Sequence, residues 1–462
     1  MGKTTFSIGG VHPHDNKISR ECAIQPLPLA PSVYISVAQH IGAPAKPVVA
    51  VGDRVKVGQV VAEPGGFVSA FIHSSVSGTV KSIGPRKDLA GNPQTCIEIA
   101  VEGDEWLEGI DTTDTLVTDI IDDNKAILDK IRLGGVVGLG GATFPTHVKL
   151  SPPPGSKCER VIINGCECEP YLTSDFRTLL EKGDQVVVGA AILRQVMGNV
   201  PCTIGIEENK PEAIAHIREV IEKLKKVSPK YGDISVLPLK MMYPQGGEKQ
   251  LIDAVMHRQV KSGALPISEG AVVQNVATAL AVYDAVQKNK PLIDNSVTVT
   301  GECFPRQANL LVRVGTPLRY IVDFLGGVPD GAAKIISGGP MMGKAVANLD
   351  AATVKGTGAL LFLTEAQTRR APETHCIRCG KCADACPMGL EPFLLNKLAK
   401  AGNLEELEKN AVQDCIECGC CLYSCPAHIA LLDNIRLAKG SVLGAIRARA
   451  AAAKAAAEAA KK

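Results

Sequence analysis

One spacing, used twice, constrains this chain more than any other feature. Cys376-x2-Cys379-x2-Cys382-x3-Cys386-Pro387 is followed by Cys415-x2-Cys418-x2-Cys421-x3-Cys425-Pro426, with 28 residues between the two runs. Nine of the 16 cysteines fall between Cys376 and Cys425. A disulfide scaffold would spread them along a short secreted chain, so the clustering points to metal ligation in a reducing compartment. A cubane cluster needs four converging thiolates, three from one tight loop and a fourth from farther away. Four-cysteine zinc sites usually show two Cys-x2-Cys pairs instead. The runs therefore predict two [4Fe–4S] clusters, which carry one electron each. In two-cluster ferredoxins with this spacing, the fourth cysteine serves the other cluster. The expected sets are Cys376, Cys379, Cys382 and Cys425, and Cys415, Cys418, Cys421 and Cys386. Cys420 is off the repeat and is not expected to be a ligand.

The remaining sequence has room for further domains, since 462 residues suggest about three. Net charge is +2, which gives no global excess for nucleic acid. Aromatics are 4% and glycines number 45, a composition of tight turns and close backbone approaches. No apolar run is long enough to span a bilayer. The nearest, Leu133 to Val148, contains five glycines and a proline, and the start has no signal-peptide core. Any membrane association is expected through partners.

Residues 1–105 read as short β-branched runs around glycine turns, a small β-sandwich or barrel. The spacing is similar to the hammerhead fold of biotinyl and lipoyl carriers. Ser74 and Ser75 stand where their modifiable lysine would be, which suggests a docking module and not a swinging arm. Residues 110–290 alternate strands and helices, with helices over 122–132, 183–196 and 211–226 and strands at 161–164 and 203–206. That pattern predicts a parallel sheet covered on both faces. Residues 291–345 give two strands and a helix, as in a β-grasp. Residues 365–437 hold the cysteines, with a helical stretch from Leu390 to Val412 between the runs. Residues 440–462 form an Ala-rich tail of net charge +4, a solvated helix or frayed end.

Two loops carry further chemistry. Gly138-Leu139-Gly140-Gly141-Ala142-Thr143-Phe144-Pro145-Thr146-His147-Val148-Lys149 lets backbone N–H groups approach a phosphate or flavin closely, with a lysine to neutralise charge. It lacks the third glycine of the dinucleotide fingerprint. Asn164-Gly165-Cys166-Glu167-Cys168-Glu169-Pro170 follows a strand, at the carboxyl end where ligands of open α/β sheets sit.

Together these segments resemble the flavin- and NADH-binding 51 kDa subunit of respiratory complex I. Its Gly-Arg-Gly-Gly-Ala-Gly-Phe-Pro-Thr-Gly-x-Lys motif is matched at Gly138, Gly140, Gly141, Ala142, Phe144, Pro145, Thr146 and Lys149. Its acidic loop is matched at Asn164, Glu167, Glu169 and Pro170. Two more segments are partly kept, at Tyr243, Gly246 and Glu248, and at Asn275, Val276 and Thr278. Cys166, Gly247 and Gln274 depart from the motifs and remove polar contacts. The order of domains, with Gly9-Gly10-Val11-His12-Pro13 in a β-rich opening and two cubane motifs at the end, narrows the resemblance to the C subunits of the Rnf ion-translocating electron transport complexes. The resemblance implies a multidomain α/β architecture: a barrel-sandwich opening, a Rossmann-like 51 kDa-type domain, a β-grasp, and a two-cluster ferredoxin module. It implies FMN, NAD(H) as substrate, and two [4Fe–4S] clusters. Gly138, Gly140, Gly141, Lys149, Asn164, Glu167, Gly246, Asn275 and Thr278 would line FMN, and Phe144 and Glu248 would face the nicotinamide nucleotide. Expected partners are the other subunits of a membrane complex, with ferredoxin reached indirectly, at the cytoplasmic face of the inner membrane. The rival is a cobalamin reductase, in which the flavin domain opens the chain. A flavin-free scaffold subunit, as in the Na⁺-pumping quinone reductase, lacks the double cysteine motif.

Overall fold

A computed structural model describes residues 4–459. Its centre is a four-stranded all-parallel sheet in the order Ile234–Leu239, Cys202–Glu207, Arg160–Gly165, Ala271–Asn275. Strands buried on both faces read as continuous apolar runs. Val161, Ile162 and Ile163 are fully buried, as is every residue of Cys202–Glu207. Helices Gly183–Val196, Pro211–Lys225, Glu248–Met256 and Val276–Gln287 cover the faces. The helix expected at 122–132 runs Asn124–Leu133, because the Asp123 carboxylate accepts from the amides of Lys125 and Ala126 and caps it. All four strands end on one edge, so 164–170, 207–210, 240–247 and the start of the helix at Val276 cluster there.

The opening unit packs two small sheets. One holds Ser32–Ser36, Pro93–Gly103, Ser77–Lys87 and Arg54–Val55, and the other Lys46–Pro47, Val60–Glu63 and Ile72–His73. Val33, Ile35, Val61, Ile72, Val80, Ile97 and Ile99 fill the space between them. Ser74 and Ser75 are fully buried, and Ser75 Oγ donates to Val314 O at 2.5 Å. The hairpin is thus docked on the next unit.

That unit draws on more chain than 291–345. Its six-stranded sheet includes Ala359–Thr364, pairing in parallel with Asp294–Thr300 and antiparallel with Ala332–Ser337. Ile24–Pro26, from the first segment, adds to its other edge against Ala308–Arg313. The stretch expected as helical between the cysteine runs is two helices, Pro392–Lys400 and Leu404–Lys409, and a short 3₁₀ turn, Val412–Asp414. Gly402, at φ +66°, breaks it. The Ala-rich tail is no separate element. A single helix runs Leu431–Ala459, and Val442 and Ile446 pack with Leu395, Leu407, Val412 and Ile435 in the core of the cysteine unit. Lys461 and Lys462 lie outside the described residues.

One side chain joins three units. Lys355 is fully buried, and its Nζ donates to Phe71 O at 2.8 Å in the opening unit and to Gly135 O at 2.7 Å in the α/β unit. Burial with no facing carboxylate pushes its pKa down to about 7.

Candidate functional site

The glycine-rich segment closes on itself through Gly138 N–H to Phe144 O at 2.9 Å, leaving Gly140 to Ala142 exposed at its tip. It is held against the sheet edge at two points. Leu139 N–H donates to Thr278 Oγ1 at 2.9 Å, and Gly140 sits so near Asn275 that an added Cβ would meet its Cβ at 3.2 Å. Gly141, at φ +120°, has open space on its Cβ side.

The second loop is braced the same way. Asn164 Nδ2 donates to Gly246 O at 2.8 Å while its Oδ1 accepts from Cys166 N–H. Gly246 N–H donates to Cys168 Sγ, and a Cβ on Gly246 would come within 3.1 Å of that sulfur. Lys149 and Glu248 form an ion pair at 2.5 Å, half-exposed at the first turn of the helix Glu248–Met256. The structure therefore gathers Gly138, Gly140, Gly141, Lys149, Asn164, Glu167, Gly246, Glu248, Asn275 and Thr278 around one edge of the parallel sheet. Open backbone at 140–142, a cradle that only glycine leaves clear at 246, and one lysine suit a flat, phosphate-bearing ring system.

Several of these side chains face the protein instead of a ligand. Glu167, at φ +47°, turns its carboxylate inward, where it accepts from the amides of Asp175 and Phe176 at the start of the helix Ser174–Glu181. Asn275 donates to Asp175 Oδ2 at 2.6 Å and caps its own helix through Ala277 N–H. The Thr278 hydroxyl is taken up by Leu139. These residues shape the backbone of the loops.

Beneath them lies a buried ionic group that sequence reasoning missed. Lys17 Nζ donates to the carbonyls of Glu167, Glu169 and Leu172 at 2.8, 2.8 and 2.6 Å. Lys210 Nζ donates to Cys166 O and pairs with Glu207. Burial pushes the carboxyl of Asp175 upward and Glu167 adds to it, while burial pushes the Lys17 ammonium down against the pull of Glu167. No local motif marks Lys17, which lies 150 residues from the loop it braces.

The cysteine unit meets this edge directly. Gly10 N–H donates to Ala385 O, Gln250 Nε2 to Pro387 O, and Tyr243 Oη to Cys418 O at 2.8 Å. Gly9 lies so close to Cys386 that a Cβ there would come within 2.5 Å of its carbonyl carbon. A small cavity at this junction is lined by Cys386 together with Cys415, Cys418 and Cys421, closed by Leu390, Leu432 and Ile435. Four thiols around an apolar hollow fit an iron–sulfur cube. Cys382 and Cys425 pack against Cys421, Ala427, Ile429 and Leu431, and Cys376 and Cys379 are exposed. Cys420 is fully buried between Val11, Tyr243 and Ala385.

Comparison with known proteins matches four successive segments of the chain. Residues 5–104 match the RnfC barrel sandwich hybrid domain, 131–284 the Nuo51 FMN-binding domain, 296–345 an SLBB domain, and 369–426 a 4Fe-4S dicluster domain. The chain is 44% identical over 405 residues to the C subunit of the proton-translocating ferredoxin:NAD(+) oxidoreductase complex of Clostridium ljungdahlii, covering 87% of this chain and 86% of that one. It is 40% identical over 444 residues to the C subunit of the Na(+)-translocating ferredoxin:NAD(+) oxidoreductase complex of Acetobacterium woodii, covering 94% and 96%. In fold it is similar to a chain of an NAD+-reducing [NiFe]-hydrogenase, at a TM-score of 0.50 and 17% identity over 68% of this chain and 61% of that one.

Proposed function

Since the chain belongs to the family of C subunits of ion-translocating ferredoxin:NAD(+) oxidoreductase complexes, we propose that it passes electrons between NAD(H) and the ferredoxin side of such a complex. The observation that carries this reading is the junction of the two sites. Tyr243 reaches the cysteine cavity through Cys418 O, and three residues on Gly246 is pinned in the other loop by Asn164 and Cys168. Bound FMN would supply the exchange between hydride transfer and single-electron transfer. The chain's own residues do the rest. Gly138, Gly140, Gly141 and Gly246 would keep backbone clear for the ring and phosphate, Lys149, paired here with Glu248, would offer positive charge once that pair opens, and Phe144 and Glu248 would face the nicotinamide nucleotide. The two clusters would be held by the crossed sets, Cys386 with Cys415, Cys418 and Cys421, which line one cavity, and Cys425 with Cys376, Cys379 and Cys382.

Among the described residues no helix is long and apolar enough to cross a membrane. We place the chain peripherally, on the cytoplasmic face, held by other subunits. A cobalamin reductase is not favoured by relatives matched over nearly the whole chain. The test is anaerobic purification followed by NADH. A spectrum with flavin and iron–sulfur bands, both bleached by NADH, supports the proposal. Protein that cannot be reconstituted with flavin overturns it.

A further inference from the structure

One turn of the third unit touches the glycine-rich loop at both its base and its tip. The turn is residues 354–357, just before the strand Ala359–Thr364. It closes through Thr357 N–H to Val354 O at 2.9 Å and Val354 N–H to Thr357 Oγ1 at 3.0 Å. Asn295 Nδ2 donates to Lys355 O at 3.1 Å and to Thr357 O at 3.2 Å, and Lys355 N–H donates to Gln39 Oε1 at 3.0 Å. The turn is thus fixed by its own bonds, by its sheet and by the opening unit. Lys355 Nζ in turn holds Gly135 O at the base of the loop.

The next residue, Gly356, meets the tip. A Cβ built there would fall 2.4 Å from Thr143 Cγ2 and 3.9 Å from Thr143 Cβ, and beyond its chain neighbours would meet nothing else within 4 Å. Gly356 is not among the glycines at positive φ, so it is the space and not the backbone that calls for glycine here. Thr143 is the reverse case. It is β-branched at φ +50°, a left-handed conformation that such side chains rarely adopt, and it stands where the 51 kDa motif has glycine. A side chain at a glycine position of the loop is therefore met by a glycine in the opposing turn. Thr278 and Asn275 close the other side. The loop is clamped between the helix Val276–Gln287 and the third unit.

Resting on the flavin reading above, we propose that Gly356 is a positioning residue: by seating the Thr143 methyl it lets the third unit fix the loop that would line FMN. Gly356 lies outside all four segments matched to known domains. Thr143 has one torsion with which to give way. Of its three staggered settings, two put the methyl or the hydroxyl against a new carbon at 356. The rest of the displacement falls on the loop backbone, and Gly140, Gly141 and Phe144 move with it.

The test titrates FMN into the full chain, freed of flavin, and reads binding from quenched flavin fluorescence. Gly356→Ala should weaken binding roughly tenfold with iron content unchanged. Adding Thr143→Ser, which removes only the methyl in the way, should restore binding to within about twofold of Thr143→Ser alone. No loss in Gly356→Ala, or a loss that Thr143→Ser does not relieve, overturns the proposal. A second readout needs neither flavin nor a change at 356. Thr143→Ser alone unseats the tip from the turn, so hydrogen exchange over residues 138–146 should quicken by roughly threefold or more, while exchange over 202–207 stays as it is. Exchange as slow as in the wild type overturns the clamp, even where Gly356→Ala fails to fold. A wild-type chain that takes up no FMN defeats the flavin reading, and exchange then decides the clamp by itself.

Discussion

Gly246 shows how little space the candidate flavin site leaves. A methyl there points at Cys168 Sγ from 3.1 Å, and both loops that would have to yield are pinned by Asn164. Gly246→Ala should therefore cost on the order of 1–3 kcal/mol in the loop geometry. The expected outcome is roughly tenfold weaker retention of FMN with iron content unchanged, read as the flavin-to-iron ratio after gel filtration. Cys386 makes the complementary case. Cys386→Ala should abolish the cluster built on Cys415, Cys418 and Cys421 and spare the other, leaving about half the iron and one of two paramagnetic signals on reduction. Loss of the signal that depends on Cys376 instead would refute the crossed sets. Glu167 and Asn275 were legible in the sequence as candidate residues of the site, but the direction of their side chains was not. Which way a side chain turns on a loop depends on Asp175 and Lys17, and no spacing reports those contacts.

At the scale of elements, periodicity served well wherever a segment packs by its own pattern. The helix over Gly183–Val196 and the buried strand at Cys202–Glu207 are apolar enough to declare themselves. It served less well where a strand exists only because a distant strand completes it. Ile24–Pro26 has three residues and its register is set by Asn309 to Leu311. The last helix is the other instructive element. Composition separates its Ala-rich end from the cysteine unit, yet Val442 is fully buried and Arg449 pairs with Glu408. The boundary that matters lies after Arg449. Removing residues 450–462 should shift the melting temperature little, since the alanines at 450–453 are exposed. Removing residues 440–462 should destabilise the cysteine unit by roughly 2–3 kcal/mol through the loss of Val442 and Ile446. Thermal melts of the two truncations against the full chain decide between a free tail and a structural one.

For the whole molecule, Lys355 sets a pH dependence. Its folded pKa is about 7 against an ordinary 10.5, so between those values the unfolded chain holds a proton that the folded chain has lost. Stability therefore rises with pH across that window, and below pH 7 the cost of the buried charge is fully present. Lys355→Met removes this dependence while leaving Phe71 O and Gly135 O without their donor. The gap in stability between wild type and variant should widen in favour of wild type as pH rises from about 7 to about 10, by on the order of a few kcal/mol. Urea titrations at three pH values would show it, and a constant gap would mean that the ammonium keeps its proton in the folded chain.

The first segment of the chain also has a consequence for how the molecule is made. Gly10 bonds to Ala385, and Asn309 reaches back to Ser19 and Cys22. A ribosome working at roughly 5–20 residues per second delivers Ala385 about 20–75 s after Gly10. During that interval the contact of Gly10 with Ala385 is unmade, whereas Lys17 can reach the carbonyls of Glu167, Glu169 and Leu172 as soon as that loop is made. Birth order and burial order run opposite ways here. Two contacts of the first segment, with Asn309 and with Ala385, can close only once most of the chain has been made.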